Sequence, residues 1–257
     1  MSVKIAGAQL TASFDPVANL HEVEREVKSA AEYGAQVVVF PEATMCRFGA
    51  DLGRVAEPLD GAFANGVRRV AAEQQVVVVV GMFTPADHNR VHNTLLVTGP
   101  DVDCSYDKIH LYDAFGSKES ETVAPGAELV TFTAYGLTIG LATCYDLRFA
   151  DQFSALGRRG AELVVVPASW GEGPGKAEQW DLLVRARALD SQAWVLACDQ
   201  AWRPAEGSDP LGVGNSMLVD PFGRPRVRLG HERGMLLGDL EPQLSHDARA
   251  RIPLGRA

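Results

Sequence analysis

Glu42, Lys108 and Cys144 are a carboxylate, an ammonium and a thiol, each placed just beyond an extended segment of the chain. Glu42 follows Ala35–Phe40 and Pro41, whose missing N–H cannot continue a strand ladder. Cys144 follows Leu137–Thr143 at a strand-to-helix turn, where unpaired N–H groups and a positive helix end favour thiolate. Asp146 is placed to cap the helix that comes next. Lys108 stands in Asp107-Lys108-Ile109-His110-Leu111, after the extended Asn93–Val97 and a Gly99-Pro100 turn. Strand carboxyl ends in an α/β sheet share one crevice, so the three supply a base, a nucleophile and a cation suited to attack on a carbonyl or nitrile carbon. Taken singly, each has a plainer reading: a solvated loop carboxylate, a buried small hydrophobe and a surface charge.

The elements that must position them alternate along the whole chain. Val3–Leu10 alternates apolar and small residues as a strand does. Asp15 stands at an N-cap with Pro16 at the first helical position, and Leu20, Val23, Val27 and Ala31 follow at helical spacing. Val-Val-Val-Phe in Ala35–Phe40 predicts a strand buried on both faces. A helix through Phe63, Val67 and Val70 leads to a strand at Val76–Phe83. The second half repeats the pattern. Strand Leu137–Ala142 precedes a helix through Phe149, Phe153 and Leu156, and strand Leu163–Val166 precedes a helix through Trp180, Leu183, Val184 and Ala188. Strand Trp194–Cys198 follows. Asp220-Pro221-Phe222-Gly223 predicts a β-turn between Ser216–Val219 and Pro225–Arg228. No linker or repeat divides residues 1–257, so one α/β domain is expected. Residues 203–214 read as a polar loop. Residues 245–257 read as a C-terminal tail, basic from Arg249 onward, either disordered or docked at a subunit interface.

The local sequences add a resemblance. Val39-Phe40-Pro41-Glu42, Asp107-Lys108-Ile109-His110-Leu111-Tyr112-Asp113 and Cys144-Tyr145-Asp146-Leu147-Arg148-Phe149 resemble, in that order, the three catalytic motifs of the nitrilase superfamily of carbon–nitrogen hydrolases. Glu119-Ser120 before Ala124-Pro125-Gly126 resembles the segment holding that family's second glutamate, with Glu121 as the alternative. Pro167-Ala168-Ser169-Trp170, Arg185-Ala186-Arg187-Ala188 and Val219-Asp220-Pro221-Phe222-Gly223 resemble later landmarks. The resemblance implies a four-layer α-β-β-α sandwich that forms a homodimer or higher homo-oligomer, and amidase-type hydrolysis of small C–N substrates without metal or organic cofactor. It implies that Cys144 attacks to form a thioester, that Glu42 moves protons, and that Lys108 and the Tyr145 backbone N–H hold the oxyanion. It also implies that Glu119 fixes Lys108 or places the substrate. The Cys144 hexapeptide resembles the branch acting on ω-amides of small dicarboxylic acids, or related amides, more than true nitrilases. Nitrile or N-carbamoyl hydrolysis would use the same triad, and a non-catalytic scaffold is a third reading. Met45, Arg148, Trp170 and Gln200 are candidate substrate-binding residues, Arg148 for a substrate carboxylate.

Composition sets limits on the alternatives. Of 257 residues, 24 are Lys or Arg and 33 are Asp or Glu, a formal net charge of −9, which opposes nucleic acid or anionic membrane as partner. The apolar runs are too short to span a bilayer, and the amino terminus lacks signal-peptide features, so a cytoplasmic protein is expected. Four scattered cysteines suggest free thiols rather than a disulfide framework. Asp101–Asp107 imitates half an EF-hand but has Tyr106 where the turn needs Gly. His88, His92 and His110 lack zinc-site spacing, and Gly212-Val213-Gly214 lacks a third Gly for a dinucleotide loop.

Overall fold

The computed structural model describes residues 2–204 and 212–254. Its first half builds one sheet from β1 (Val3–Gln9), β2 (Val37–Val39), β3 (Val77–Pro85), β4 (Val91–Gly99) and β5 (Val102–Asp107), with helices α1 (Pro16–Glu32), α2 (Leu52–Val55) and α3 (Ala62–Gln74) between them. The second half builds another from β6 (Thr131–Ala134), β7 (Leu137–Leu141), β8 (Leu163–Ala168), β9 (Trp194–Asp199), β10 (Met217–Val219) and β11 (Pro225–Arg228), with α4 (Ala150–Arg158) and α5 (Lys176–Ser191). Strand β12 (Gly234–Leu240) then returns to the first sheet beside β1, and α6 (Pro242–Arg251) follows. Among the described residues each sheet has six strands, in the orders β12-β1-β2-β3-β4-β5 and β11-β10-β9-β8-β7-β6. The middle three strands of each run parallel, and their edges pair antiparallel.

The valine runs explain the layering. Successive side chains on a strand point to opposite faces, so Val37 and Val39 join Val77 and Val79 in the apolar layer between the sheets, against Ile139, Leu141, Leu163 and Val165. Val38, Val78 and Val80 face outward and are covered by Val23, Val27, Phe63, Val67 and Val70 from α1 and α3. On the other side Val164, Val166 and Val195 meet Phe153, Leu156, Trp180 and Val184 from α4 and α5. The result is the α-β-β-α sandwich expected, in one domain. Asp15 caps α1 through Oδ1, accepting from the Val17 N–H at 2.9 Å, and Pro16 stands at its first position.

Two local expectations change. Asp146 does not cap α4, whose N-cap is Phe149 with no side-chain bond. It turns back to accept from the Thr143 N–H at 2.8 Å, within a short 3₁₀ turn at Cys144–Arg148. The expected tail from residue 245 lies partly inside α6, because Pro242 starts a helix whose Ser245 and Ala248 are buried. Ser245 Oγ donates to the Glu162 carbonyl at 3.2 Å. Residues 205–211 of the expected polar loop and 255–257 of the tail lie outside the described residues.

Gly81 in β3 is required by close approach. A Cβ there would lie 2.6 Å from Ala43 N, 2.8 Å from the Pro41 carbonyl oxygen and 2.9 Å from Glu42 Cα. The Pro41–Ala43 turn therefore sits directly on the β3 backbone, and the Met45 N–H donates to the Gly81 carbonyl at 2.9 Å. Gly81→Ala should force that turn to move and lower stability by about 1–3 kcal/mol, the usual cost of overpacking. Urea unfolding checks this: a midpoint equal to wild type would show that the turn yields at no cost.

Candidate active site

Glu42, Lys108 and Cys144 come from different strand ends and from both sheets. Glu42 lies in the turn after β2, Lys108 immediately after β5, and Cys144 after β7. All three are buried, Glu42 at 1%, Lys108 at 2% and Cys144 at 6% exposure. They line one cavity of about 260 Å³, together with Glu119, Tyr145, Trp170 and Lys176.

Lys108 joins the carboxylates. Its Nζ donates to Glu42 Oε1 at 2.9 Å and to Glu119 Oε2 at 2.8 Å. Asn93 Nδ2 donates to the same Glu42 oxygen at 2.7 Å and to Glu119 Oε1 at 3.2 Å. The Ser169 N–H, beyond β8, donates to Glu42 Oε2 at 2.8 Å, and the Tyr112 N–H donates to Glu119 Oε2 at 2.6 Å. Burial alone would lower the Lys108 pKa, but the Glu119 and Glu42 charges override it and hold the ammonium well above its ordinary range. Glu121 is exposed and pairs with Lys118 at 3.4 Å, so the geometry brings Glu119 to Lys108 and leaves Glu121 outside.

Cys144 stands at φ +46°, a conformation non-glycine residues rarely adopt. Such strain at a strand-to-helix turn presents a nucleophile at the tip of a tight elbow. Tyr145 is the second residue of that turn, where an N–H has no acceptor earlier in the helix. Thiolate is not the favoured state at rest, contrary to the expectation from the turn alone. Burial pushes the Cys144 thiol well up and the Glu42 charge adds to it, while Lys108 and the Ser169 N–H oppose them. A protonated thiol beside a carboxylate base is primed to lose its proton as it attacks.

Asp146, fully buried, ties the nucleophile's turn to the Lys108 segment. Besides the Thr143 N–H it accepts from the His110 N–H at 3.0 Å and the Tyr106 hydroxyl at 2.6 Å, and it meets His110 Nδ1 at 2.8 Å. Tyr106 and His110 flank Lys108 by two residues on either side. Gly126 fixes that segment from the other side, its N–H donating to the Lys108 carbonyl at 2.8 Å.

The candidate substrate-binding residues separate. Trp170 lines the cavity, its N–H held by Asp199 Oδ1 at 2.7 Å. Met45 is buried in the layer between the first sheet and its helices. Gln200 sits behind the site, its Nε2 donating to the Glu42 carbonyl at 2.9 Å and its Oε1 accepting from the Ala12 N–H at 2.9 Å. Arg148 donates to Gln179 Oε1 at 2.6 Å and packs against the Tyr145 and Trp170 rings, and it is not among the cavity's lining residues. Sequence reasoning missed Asn93, Tyr106, Ser169, Asp199 and Lys176. Asn93 had only a faint signal, since it stands between His92 and Thr94 in the polar first half of its strand. Among the described residues no group of three or more His, Cys, Asp or Glu could hold a metal ion, and no helix is long and apolar enough to cross a membrane.

Residues 4–250 match the carbon-nitrogen hydrolase family. A hydrolase of Mycobacterium tuberculosis is 49% identical, over 99% of this chain and 95% of its own. The omega-amidase NIT2 of Xenopus tropicalis is 31% identical, over 93% of this chain and 88% of its own. A CN-hydrolase superfamily protein of Xanthomonas campestris, solved with an arsenic adduct in its active site, superposes with a TM-score of 0.86 at 26% identity, covering 98% of this chain and 96% of that one. The chain belongs to the carbon-nitrogen hydrolase family, within the nitrilase superfamily, and is a C–N hydrolase.

Proposed function

We propose that this protein hydrolyses small amides through a thioester on Cys144, with short dicarboxylic acid monoamides as its preferred class. The observation that carries the reading is the buried Lys108 ammonium between Glu42 and Glu119, in the same cavity as the Cys144 thiol. In the first half-reaction Cys144 Sγ bonds to the carbonyl carbon while its proton passes to Glu42. The oxygen becomes an anion facing Lys108 Nζ and the Tyr145 N–H. Collapse breaks the C–N bond, and Glu42 returns the proton to the departing ammonia. Water then loses a proton to Glu42 and attacks the thioester, and the thiol leaves with that proton as the carboxylic acid forms. The preference for an anionic amide is supported by the Cys144 hexapeptide and by the relative whose name is omega-amidase.

We also propose a homodimer. Leu182 and Leu189 on α5 are 65% and 47% exposed, and Ile252 and Leu254 beyond α6 are 46% and 55% exposed, apolar surface that a second copy would cover. A stable monomer by light scattering at micromolar concentration would rule it out.

Cys144→Ala should abolish ammonia release with an unchanged circular dichroism spectrum, and turnover within about tenfold of wild type would refute the nucleophile. Glu119→Gln should lower kcat by about 100-fold or more, because it weakens the charge holding Lys108. Glu121→Gln should match wild type; the reverse pattern would move the second glutamate to Glu121. Glutaric acid monoamide should be hydrolysed faster than pentanamide, and both faster than the matching nitrile. A nitrile preference would select nitrilase chemistry on the same triad.

A further inference from the structure

The cavity holds a cation that the hydrolytic steps do not use. Lys176 is 7% exposed, and its Nζ lies 4.5 Å from the Phe115 ring centroid, 5.1 Å from that of Tyr112 and 5.3 Å from that of Trp170. It donates to the Tyr112 hydroxyl at 3.1 Å, and among the described residues it forms no ion pair with a carboxylate. A buried ammonium is costly unless an anion meets it, and aromatic faces offset only part of that cost. Lys176 also opens α5, a helix of 16 residues, so it adds charge to an end that is already positive. An anion is the partner that would offset the rest of that cost, and the space beside the ammonium is the cavity that contains Cys144.

We propose that Lys176 binds the carboxylate of the substrate, at the end opposite the amide that reacts with Cys144; this rests on the amidase reading above. The other lysines that line the cavity already pair with carboxylates. Lys108 is shared by two carboxylates, and Lys118, 71% exposed, pairs with Glu121. Arg148, the sequence-based candidate for this role, bonds to Gln179 and packs on two aromatic rings outside the cavity, whose lining does not include it. The rings of Tyr112 and Trp170, which line the cavity beside Lys176, give apolar walls for the methylene chain between the two ends.

Two measurements test the assignment. In the Cys144→Ala protein, calorimetry should show glutaric acid monoamide binding more tightly than pentanamide, and adding Lys176→Met should weaken the monoamide by about 30-fold or more, as loss of one partner of a desolvated charge pair does. In the enzyme with Cys144 intact, Lys176→Met should collapse the ratio of kcat/KM for the monoamide to that for pentanamide by a similar factor. That ratio is taken within each variant, so partial loss of folded protein does not alter it. Lys176→Arg should restore part of it. Equal affinity with and without Lys176, or no preference for the monoamide when Lys176 is intact, overturns the inference even if amides are turned over. Conversely, Lys176-dependent monoamide binding without turnover of any amide would overturn the amidase reading and leave the anion site standing.

Discussion

A single buried ammonium sets the terms for the rest of the site. Lys108 lies between two carboxylates, 2.9 Å from one and 2.8 Å from the other, and all three side chains expose little of their surface. Removing one member of such a cluster leaves charge uncompensated in a poor dielectric, typically costing about 3–5 kcal/mol. The side-chain amide of Asn93 and the backbone N–H groups of Ser169 and Tyr112 complete the carboxylates' hydrogen bonding. Burial, which makes the cluster expensive, also makes it useful: a charge developing on a substrate oxygen there would meet a fixed cation with little solvent screening.

The cluster also fixes how the sheets face each other. Glu42 and Lys108 belong to the first sheet's strand ends, while Cys144 and Ser169 belong to the second's, so a slide between sheets would break the Ser169–Glu42 bond. Asp146 is the second tether. Its carboxylate takes bonds from Thr143 on one side and from Tyr106 and His110 on the other. His110 also stacks on Phe149, with ring centroids 3.5 Å apart. The apolar layer between the sheets resists separation without regard to direction, whereas these polar bonds select one register.

Much of this was legible in the sequence because burial on two faces leaves a compositional mark. Val37–Val39 and Leu163–Val166 could be assigned to central strands since both alternating sets of side chains are apolar. The positions just past those strands then stood out as reactive. Direction was harder to read. Met45 and Gln200 lie at the expected height, yet Met45 turns into the core and Gln200 turns back to the Glu42 carbonyl. Lys176 follows a Gly/Pro-rich stretch and begins a helix with little amphipathic contrast, so nothing local marks it. Its environment is made by Tyr112, Phe115 and Trp170, from two other segments. Asp146 looked like the cap of the following helix because the residue type fits, but it serves the shorter turn at Cys144–Arg148 and partners on the other sheet instead.

The pairing of β1 with β12 has a consequence for how the chain is made. Val3–Gln9 leaves the ribosome long before its partner on one side, Gly234–Leu240, which is separated from it by both sheets' worth of chain. During that interval a strand of seven residues, six of them buried in the finished protein, presents an unpaired row of amides and carbonyls. Such an edge can join any other extended chain. The late strand is thus the molecule's own protection against association between nascent copies, and chains interrupted before residue 234 would be the ones most in need of a chaperone.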